Sequence, residues 1–211
     1  MFEAQEIDQL LASHKVKGFL PAHEAAALFK VAQKQAELGP ILEIGSYCGR
    51  SAVYLGAAAR RSAQPVFSVD HHTGSEEHQR GEGYFDSEHW DSALNRVDTL
   101  PAMRRTLKQC DMEDVVIPIV ARSELLAAFW TTPLALIFVD GGHSEVQAKA
   151  DCLLWAKHLM PAGIMAIHDI FEHPKDGGQA PYNAMQAVIA EYGLELIDRV
   201  DSLVFLAKAA D

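Results

Sequence analysis

The sequence predicts an α/β fold built on a doubly wound, mostly parallel sheet. Three observations carry that expectation. Five short apolar runs alternate with stretches whose apolar residues recur at helical spacing. Strand and helix in alternation imply right-handed crossovers, and so a parallel sheet. The stretch "ILEIGSYCGRSAVYL" (41–55) passes from apolar run to helix through Glu43, Gly45 and Gly49. A turn that only reversed direction could use any Gly or Asn pair. Gly45-Ser46-Tyr47-Cys48-Gly49 instead places small groups and free backbone N–H donors at a helix start. That geometry holds an anionic or hydroxyl-rich ligand at the carboxyl edge of a parallel sheet.

The elements follow in order. "PAHEAAALFKVAQKQAE" (21–37) has helical spacing, with Pro21 at its start and Gly39-Pro40 beyond its end. "ILEIG" reads as a buried strand and "SAVYLGAAARR" as a helix. "PVFSVD" (65–70) is a second strand, with its acidic residue at the carboxyl end. "DVVIPIV" (114–120), "LALIFVD" (134–140) and "GIMAIHD" (163–169) are three more. "SEVQAKADCLLWAKHLM" lies between the last two with apolar groups on one helical face. "LELIDRVDSLVFLAK" (194–208) reads as a hairpin-type pair closing one edge. The stretch 71–96 breaks this rhythm. It is polar, rich in His and Glu, and reads as a lid or binding loop, against the plainer reading of a solvated insertion with one short helix.

Composition sets limits. A chain of 211 residues is long enough for one ample core, so a single domain over 1–211 is expected, with an N-terminal helical segment at 1–38. A formal net charge of −11 argues against binding nucleic acid, which needs a basic face. Arg104, Arg105 and Lys108 read as a solvated helix face. Cys48, Cys110 and Cys152 are scattered, odd in number and without metal spacing, as in a reducing compartment. "MFEAQEIDQLL" lacks the layout of an export signal, and no apolar run reaches the roughly 20 residues of a membrane span. A cytoplasmic protein without membrane partners is expected.

Acidic groups end three strands, at Asp70, Asp140 and His168-Asp169. In a doubly wound sheet these ends open onto one crevice. Asp70 lies near the spacing from the glycine turn that suits a carboxylate accepting from ribose hydroxyls. An Asp capping a helix begun by "TGSEE" is the competing reading. Asp140 and Asp169 offer hard oxygen ligands for a divalent ion. His143, in "DGGH", is placed to reach the same spot, and imidazole would bias the site toward a transition metal where carboxylates alone suit magnesium. The plainer readings are a residue at the N-terminus of the next helix for His143, and a buried hydrogen-bonded imidazole for His168.

"LEIGSYCGRSAV", then "VFSVD", "IFVDGGHS" and "LMPAGIMAIHD" in that order, resembles the class I S-adenosylmethionine-dependent methyltransferases. The turn is similar to that of catechol-type O-methyltransferases, where E-x-G-x-x-x-G-x-S recurs, and the wording is similar to a bacterial branch whose substrates are mostly unassigned. The resemblance runs from about residue 39 to the end. It implies a Rossmann-like sheet of the class I methyltransferase type, with S-adenosyl-L-methionine as cofactor. It places Glu43, in the turn's motif, among the cofactor-binding residues. It implies that Gly45, Ser46, Tyr47 and Ser51 hold the methionine portion, that Asp70 binds the ribose, that His71 borders ribose or adenine, and that Arg122 and Ser123 border the adenine. Asp140 and Asp169 match two aspartates that bind magnesium in catechol-type enzymes, with Asp140 also at the cofactor. His143 stands where those enzymes carry a catalytic lysine. Ile170 stands where an Asn ligand is usual, so His168 is the expected replacement ligand and His143 the expected base.

The expected chemistry is methyl transfer to a hydroxyl of a small molecule, with a divalent metal ion lowering the hydroxyl's pKa and His143 accepting the proton. Tyr84, Trp90, Tyr182 and "GGQAPY" (177–182) are candidates to cover the acceptor. A nucleotide-dependent oxidoreductase fits poorly, because the turn lacks the Gly-x-Gly pair. A cofactor-binding protein without catalysis, or a metal-dependent hydroxylase on the same fold, are the alternatives. The N-terminal helices could pair two copies in a homodimer.

Overall fold

The computed structural model describes residues 3–210, and of Glu77 the backbone alone; Met1, Phe2 and Asp211 lie outside the described residues. The chain opens with helices α1 (Ala4–Ser13) and α2 (Ala22–Gln35), followed by β1 (Ile41–Ile44), α3 (Arg50–Ala59) and β2 (Val66–Asp70). A small antiparallel ribbon, β3 (Trp90–Asp91) with β4 (Arg96–Val97), precedes α4 (Leu100–Gln109) and β5 (Val116–Val120). Then come α5 (Ser123–Ala127), β6 (Leu134–Val139), α6 (Glu145–Ala156), β7 (Leu159–Ile167), α7 (Ala180–Tyr192), β8 (Glu195–Val200) and β9 (Leu203–Ala207).

Seven strands form one sheet in the order β5-β2-β1-β6-β7-β9-β8. The first five run parallel. β9 pairs antiparallel with both β7 and β8, which is the edge hairpin the sequence implied. Chain order reverses between β1 and β6, so the crevice beyond their carboxyl ends is the ligand-binding place of a doubly wound sheet. β1 and β6 are buried along their whole length, as continuous apolar runs under two helical layers must be. One face packs on α1–α4 through Leu28, Tyr54, Leu55 and Phe138; the other packs on α5–α7 through Ile137, Trp155 and Leu206.

Two boundaries move relative to the sequence reading. β7 starts at Leu159 and ends at Ile167, so His168 and Asp169 sit just past the strand, and Asp169 takes a positive φ of 59°. The 71–96 stretch carries two single-turn 3₁₀ helices, Glu76–His78 and Ser87–His89, and half of the small ribbon rather than one short helix. Arg104, Arg105 and Lys108 are exposed on α4, whose opposite face buries Met103 and Leu107. Among the described residues, no helix is long and apolar enough to cross a membrane.

Candidate active site

The glycine turn is fixed by backbone contact. Gly45 has φ +86°, and a Cβ there would stand 2.1 Å from the Asp140 carbonyl oxygen. The expected glycine is therefore required, but the close approach it permits is first of all that of the Asp140-Gly141 peptide. Gly49, the N-cap of α3, also has a left-handed conformation, φ +89°.

The donors of this turn are not all free, contrary to the sequence reading. Asp70 Oδ2 accepts from the backbone N–H of Ser46 (3.0 Å) and Tyr47 (2.9 Å), and Oδ1 accepts from His72 N–H (2.7 Å). Asp70 thus caps the glycine turn, not a following helix. A carboxylate has about four lone-pair sites, so the three bonds leave room for one more donor. Tyr47, His72 and Asp169 hold positive φ at this one sheet edge, and such strain, about 1–3 kcal/mol per residue, concentrates where a site demands it.

Two cavities open along the edge. The first, about 630 Å³, is lined by Asp70, His71, Arg122, Ser123 and Asp151 among others. The second, about 760 Å³, is lined by Ser46, Ser51, Phe19, Tyr84, Asp169 and Phe171 among others. They share Gly45, Tyr47, Asp140, Gly141 and His143, so they meet over the ends of β1 and β6. The Ser46 hydroxyl is buried on the wall of the second cavity and has no hydrogen-bond partner. Glu43, expected at the cofactor, lines neither cavity. It lies fully buried beneath the turn, accepts from the Ser68 hydroxyl and contacts Ser51. Burial pushes its carboxyl up to about 7, against the Ser51 and Ser68 hydrogen bonds. Of the aromatic candidates only Tyr84 reaches the cavities; Trp90 packs on Phe85, and Tyr182 packs on the α6–α7 core.

The acidic cluster is tighter than its sequence spacing shows. Asp140, His168 and Asp169 each offer an atom within 4.8 Å of the others. His168 Nδ1 lies 3.0 Å from Asp140 Oδ1 and 3.4 Å from Asp169 Oδ2, while Nε2 lies 2.8 Å from Glu24 Oε2. Glu24 is fully buried, and its other oxygen accepts from Ser202 N–H (2.7 Å), the Ser202 hydroxyl (2.8 Å) and Leu203 N–H (3.0 Å). Burial alone would lower the His168 pKa, but the charge of Asp140 and the three carboxylate contacts raise it to about 12. Burial pushes Asp169 up, and the hydrogen bonds from His143 and His168 outweigh it and hold the carboxyl well below the usual range. An imidazolium beside both carboxylates therefore relieves the mutual repulsion of Asp140 and Asp169. His143 Nε2 lies 2.9 Å from Asp169 Oδ2, on a ring that is 40% exposed at the junction of the cavities. Ile170 is buried in the core and directs no atom at the cluster.

Sequence reasoning missed Glu24 and Asp151. Glu24 looks like an ordinary first-turn acid of α2, and its partner is 144 residues away. Asp151 lies on α6 with 1% exposure at the first cavity, and burial pushes its carboxyl up to about 6 against hydrogen bonds from Ser123 and Gln147. An acid among the apolar residues of "VQAKADCLLW" was the available signal.

Comparison with known proteins agrees with this architecture. A family model described as a methyltransferase domain matches residues 42–170, which hold the glycine turn, Asp70, Asp140 and the His168-Asp169 pair. The chain is similar in fold to the S-adenosylhomocysteine-bound methyltransferase PaMTH1 of Podospora anserina, at 15% identity and a TM-score of 0.69, over 100% of this chain and 89% of that one. It is similar to the O-methyltransferase NovP at 13% identity and a TM-score of 0.70, over 99% and 100% of the two chains. For the O-methyltransferase TomG of Streptomyces achromogenes, in complex with SAM, the values are 14%, 0.63, 100% and 91%. On the family match and this shared fold, the chain belongs to the methyltransferase domain family and has the class I methyltransferase architecture.

Proposed function

We propose that this methyltransferase takes its methyl group from S-adenosylmethionine and delivers it to a hydroxyl of a small molecule, assisted by a divalent ion. The observation that carries this reading is the meeting of two cavities at Asp140 and His143, with His168 and Asp169 beside them. Their volumes lie in the range of about 300–1,000 Å³ typical of ligand pockets. In this reading Gly45, Ser46, Tyr47 and Ser51 hold the methionine portion of the cofactor. Asp70 and His71 take the ribose, Arg122 and Ser123 the adenine. The unpartnered Ser46 hydroxyl supports a polar ligand group at that wall. Asp70, with one acceptor site remaining, supports a hydroxyl there.

The donor set fits a divalent ion. Asp140, His168 and Asp169 would hold it, and Glu24 stands behind His168 as the carboxylate that orients a ligating imidazole. Such an ion lowers the pKa of a coordinated hydroxyl and fixes its angle. One imidazole among the ligands favours a transition metal over magnesium. His168, 3% exposed and held on both sides, suits a ligand; His143, at the cavity junction and oriented by Asp169, suits a base that receives the acceptor's proton. The rest of the chain's task is orientation and exclusion of water, where proximity effects are large.

Calorimetry with S-adenosylmethionine, S-adenosylhomocysteine and NAD tests the cofactor. Binding of the first two and none of NAD is the expected result, and tight NAD binding without response to S-adenosylhomocysteine would overturn it.

A further inference from the structure

One wall of the second cavity is built from two segments far apart in the chain, and a single side chain joins both to the glycine turn. Gly18, Phe19 and Leu20, in the connector between α1 and α2, line the cavity, as do His78 and Tyr84 from the 71–96 stretch. Arg50 of α3 pins the connector. Its Nε donates to the Leu20 carbonyl (3.0 Å), and a Cβ at Gly18 would stand 2.6 Å from its side chain. Among the described residues, no main-chain hydrogen bond joins the connector to the 71–96 stretch, and side chains make that junction. Phe19 lies 5.4 Å from the Tyr47 ring and 5.9 Å, edge-on, from Tyr84. Lys17 pairs with Asp86 and, at 2.6 Å, with Glu88.

Asp86 is where the three segments meet. Its Oδ2 accepts from Lys17 Nζ and from the Tyr47 hydroxyl (3.3 Å), while Oδ1 accepts from Glu88 N–H (3.0 Å) and so caps the 3₁₀ turn Ser87–His89. Burial pushes the carboxyl up, but the bonds from Lys17 and Glu88 N–H outweigh it and hold Asp86 below the usual range. Burial, with Cys48 and Asp86 beside it, raises the Tyr47 phenol, so the hydroxyl stays protonated and is the donor. Tyr47 belongs to the turn. Its N–H is held by Asp70, its φ is +46°, and its ring, stacked on His78 at 5.5 Å, lines both cavities. One carboxylate oxygen thus ties the connector to the turn. A ligand that restrains the Tyr47 ring reduces the entropy lost when Lys17 and Phe19 settle against it, and the coupling acts equally in reverse.

On the methyl-transfer reading above, we propose that Asp86 is a positioning residue: acting through Tyr47 and Lys17, it makes cofactor occupancy of the turn and ordering of the α1–α2 connector beside the acceptor cavity favour each other.

Hydrogen exchange and calorimetry with S-adenosylhomocysteine test this. Asp86→Asn keeps a capping oxygen for Glu88 N–H and loses the charge. Lys17→Met removes the cation and leaves the cap and the Tyr47 bond, and Lys17→Arg restores the cation. In wild-type protein, saturating S-adenosylhomocysteine should slow amide exchange in residues 14–20 by about fivefold or more. Lys17→Met and Asp86→Asn should each lose most of that slowing and bind S-adenosylhomocysteine about three- to fivefold more weakly, the worth of one part-exposed ion pair. Lys17→Arg should behave as wild type, and the double variant should bind no more weakly than the weaker single one. Lower melting temperatures with the ligand-dependent slowing intact would reduce Asp86 to a structural cap and overturn the proposal. Losses that add in the double variant, or wild-type exchange in 14–20 that ignores bound S-adenosylhomocysteine, overturn it too, while the cofactor reading stands. If S-adenosylhomocysteine itself does not bind, the cofactor reading fails and this inference with it.

Discussion

Glu24→Gln separates the fold-supporting and site-supporting roles of one buried side chain. The amide oxygen can keep the three hydrogen bonds from Ser202 and Leu203. The amide nitrogen is a donor, and it would face His168 Nε2, which now lies 2.8 Å from a carboxylate oxygen. Two donors cannot share that contact, so His168 must turn Nε2 into an acceptor and carry its proton on Nδ1, toward Asp140. A charge-assisted bond is lost, worth about 1.5–3 kcal/mol. In a chain of this size that corresponds to roughly 3–12 °C in melting temperature. The lone pair on Nδ1 that would face an ion between Asp140 and Asp169 is lost as well, and loss of such an orienting carboxylate costs about 10–100-fold in metal affinity. Thermal melts and manganese titration by calorimetry read the two effects separately. Ser202→Ala is the comparison, because it removes one hydroxyl bond from Glu24 and leaves the His168 contact alone; it should lower stability with little change in manganese affinity. Wild-type manganese affinity in Glu24→Gln would refute Glu24 as the group that orients His168, whatever the melting temperature.

The remaining predictions concern the turn and the base. Gly45→Ala should lose about 2–5 kcal/mol, from a side chain at positive φ and a collision with the Asp140 carbonyl; Gly178→Ala, with nothing within 4 Å, should melt like the wild type. Glu43, raised to about 7, favours the folded state most where it is protonated, so its contribution is full below about 4.5 and drains as pH rises through 7. Glu43→Gln should therefore be more stable than wild type by up to about 3 kcal/mol in alkaline melts, with the difference vanishing in acid, and a pH-independent difference would count against the burial of an ionising group. Asp70→Ala should both destabilise the turn, by freeing three backbone N–H groups, and weaken S-adenosylhomocysteine, read by melting with and without that ligand. His143→Ala should retain manganese and lose about 10²–10⁴ in rate near neutral pH, a deficit that shrinks in alkali as acceptor hydroxyls ionise without a base; loss of manganese instead would make His143 a ligand.

The strands were legible because each is a local pattern: "ILEIG", "LALIFVD" and "GIMAIHD" are apolar runs whose burial under two helical layers leaves few alternatives. The convergence of Asp70, Asp140 and Asp169 followed from topology, since parallel strands deliver their carboxyl ends to one edge. What the chain order hides is contact across layers. Nothing near "PAHEAAALF" indicates that Glu24 crosses from α2 to the turn after β8 and to His168. Nothing near "KVKGFL" indicates that Phe19 meets Tyr47 and Tyr84. The capping of the glycine turn by Asp70 was hidden for another reason: sequence motifs record which groups can accept a bond, not which donor in the protein reaches them first.

In the proposed assignment, burial and not residue type divides the chemistry between two histidines of the same cluster. His168 is 3% exposed and has a carboxylate at each nitrogen, Glu24 on one side and Asp140 with Asp169 on the other. Acceptors on both sides require donors on both nitrogens, so the ring is held as a cation and cannot turn; only a competing cation between Asp140 and Asp169 could take the place of the Nδ1 proton. His143 shares Asp169 with it but lies at the cavity junction, 40% exposed, on a loop built of "DGGH". Its ring is held by Asp169 and borders the space where an acceptor would sit, which suits a group that must receive a proton and release it to solvent. Exchanging the two roles would require His168, 3% exposed, to exchange protons from within a packed core. Burial makes that exchange slow, so in the proposed assignment the division of labour rests on α2 and the β8–β9 turn, which line neither cavity.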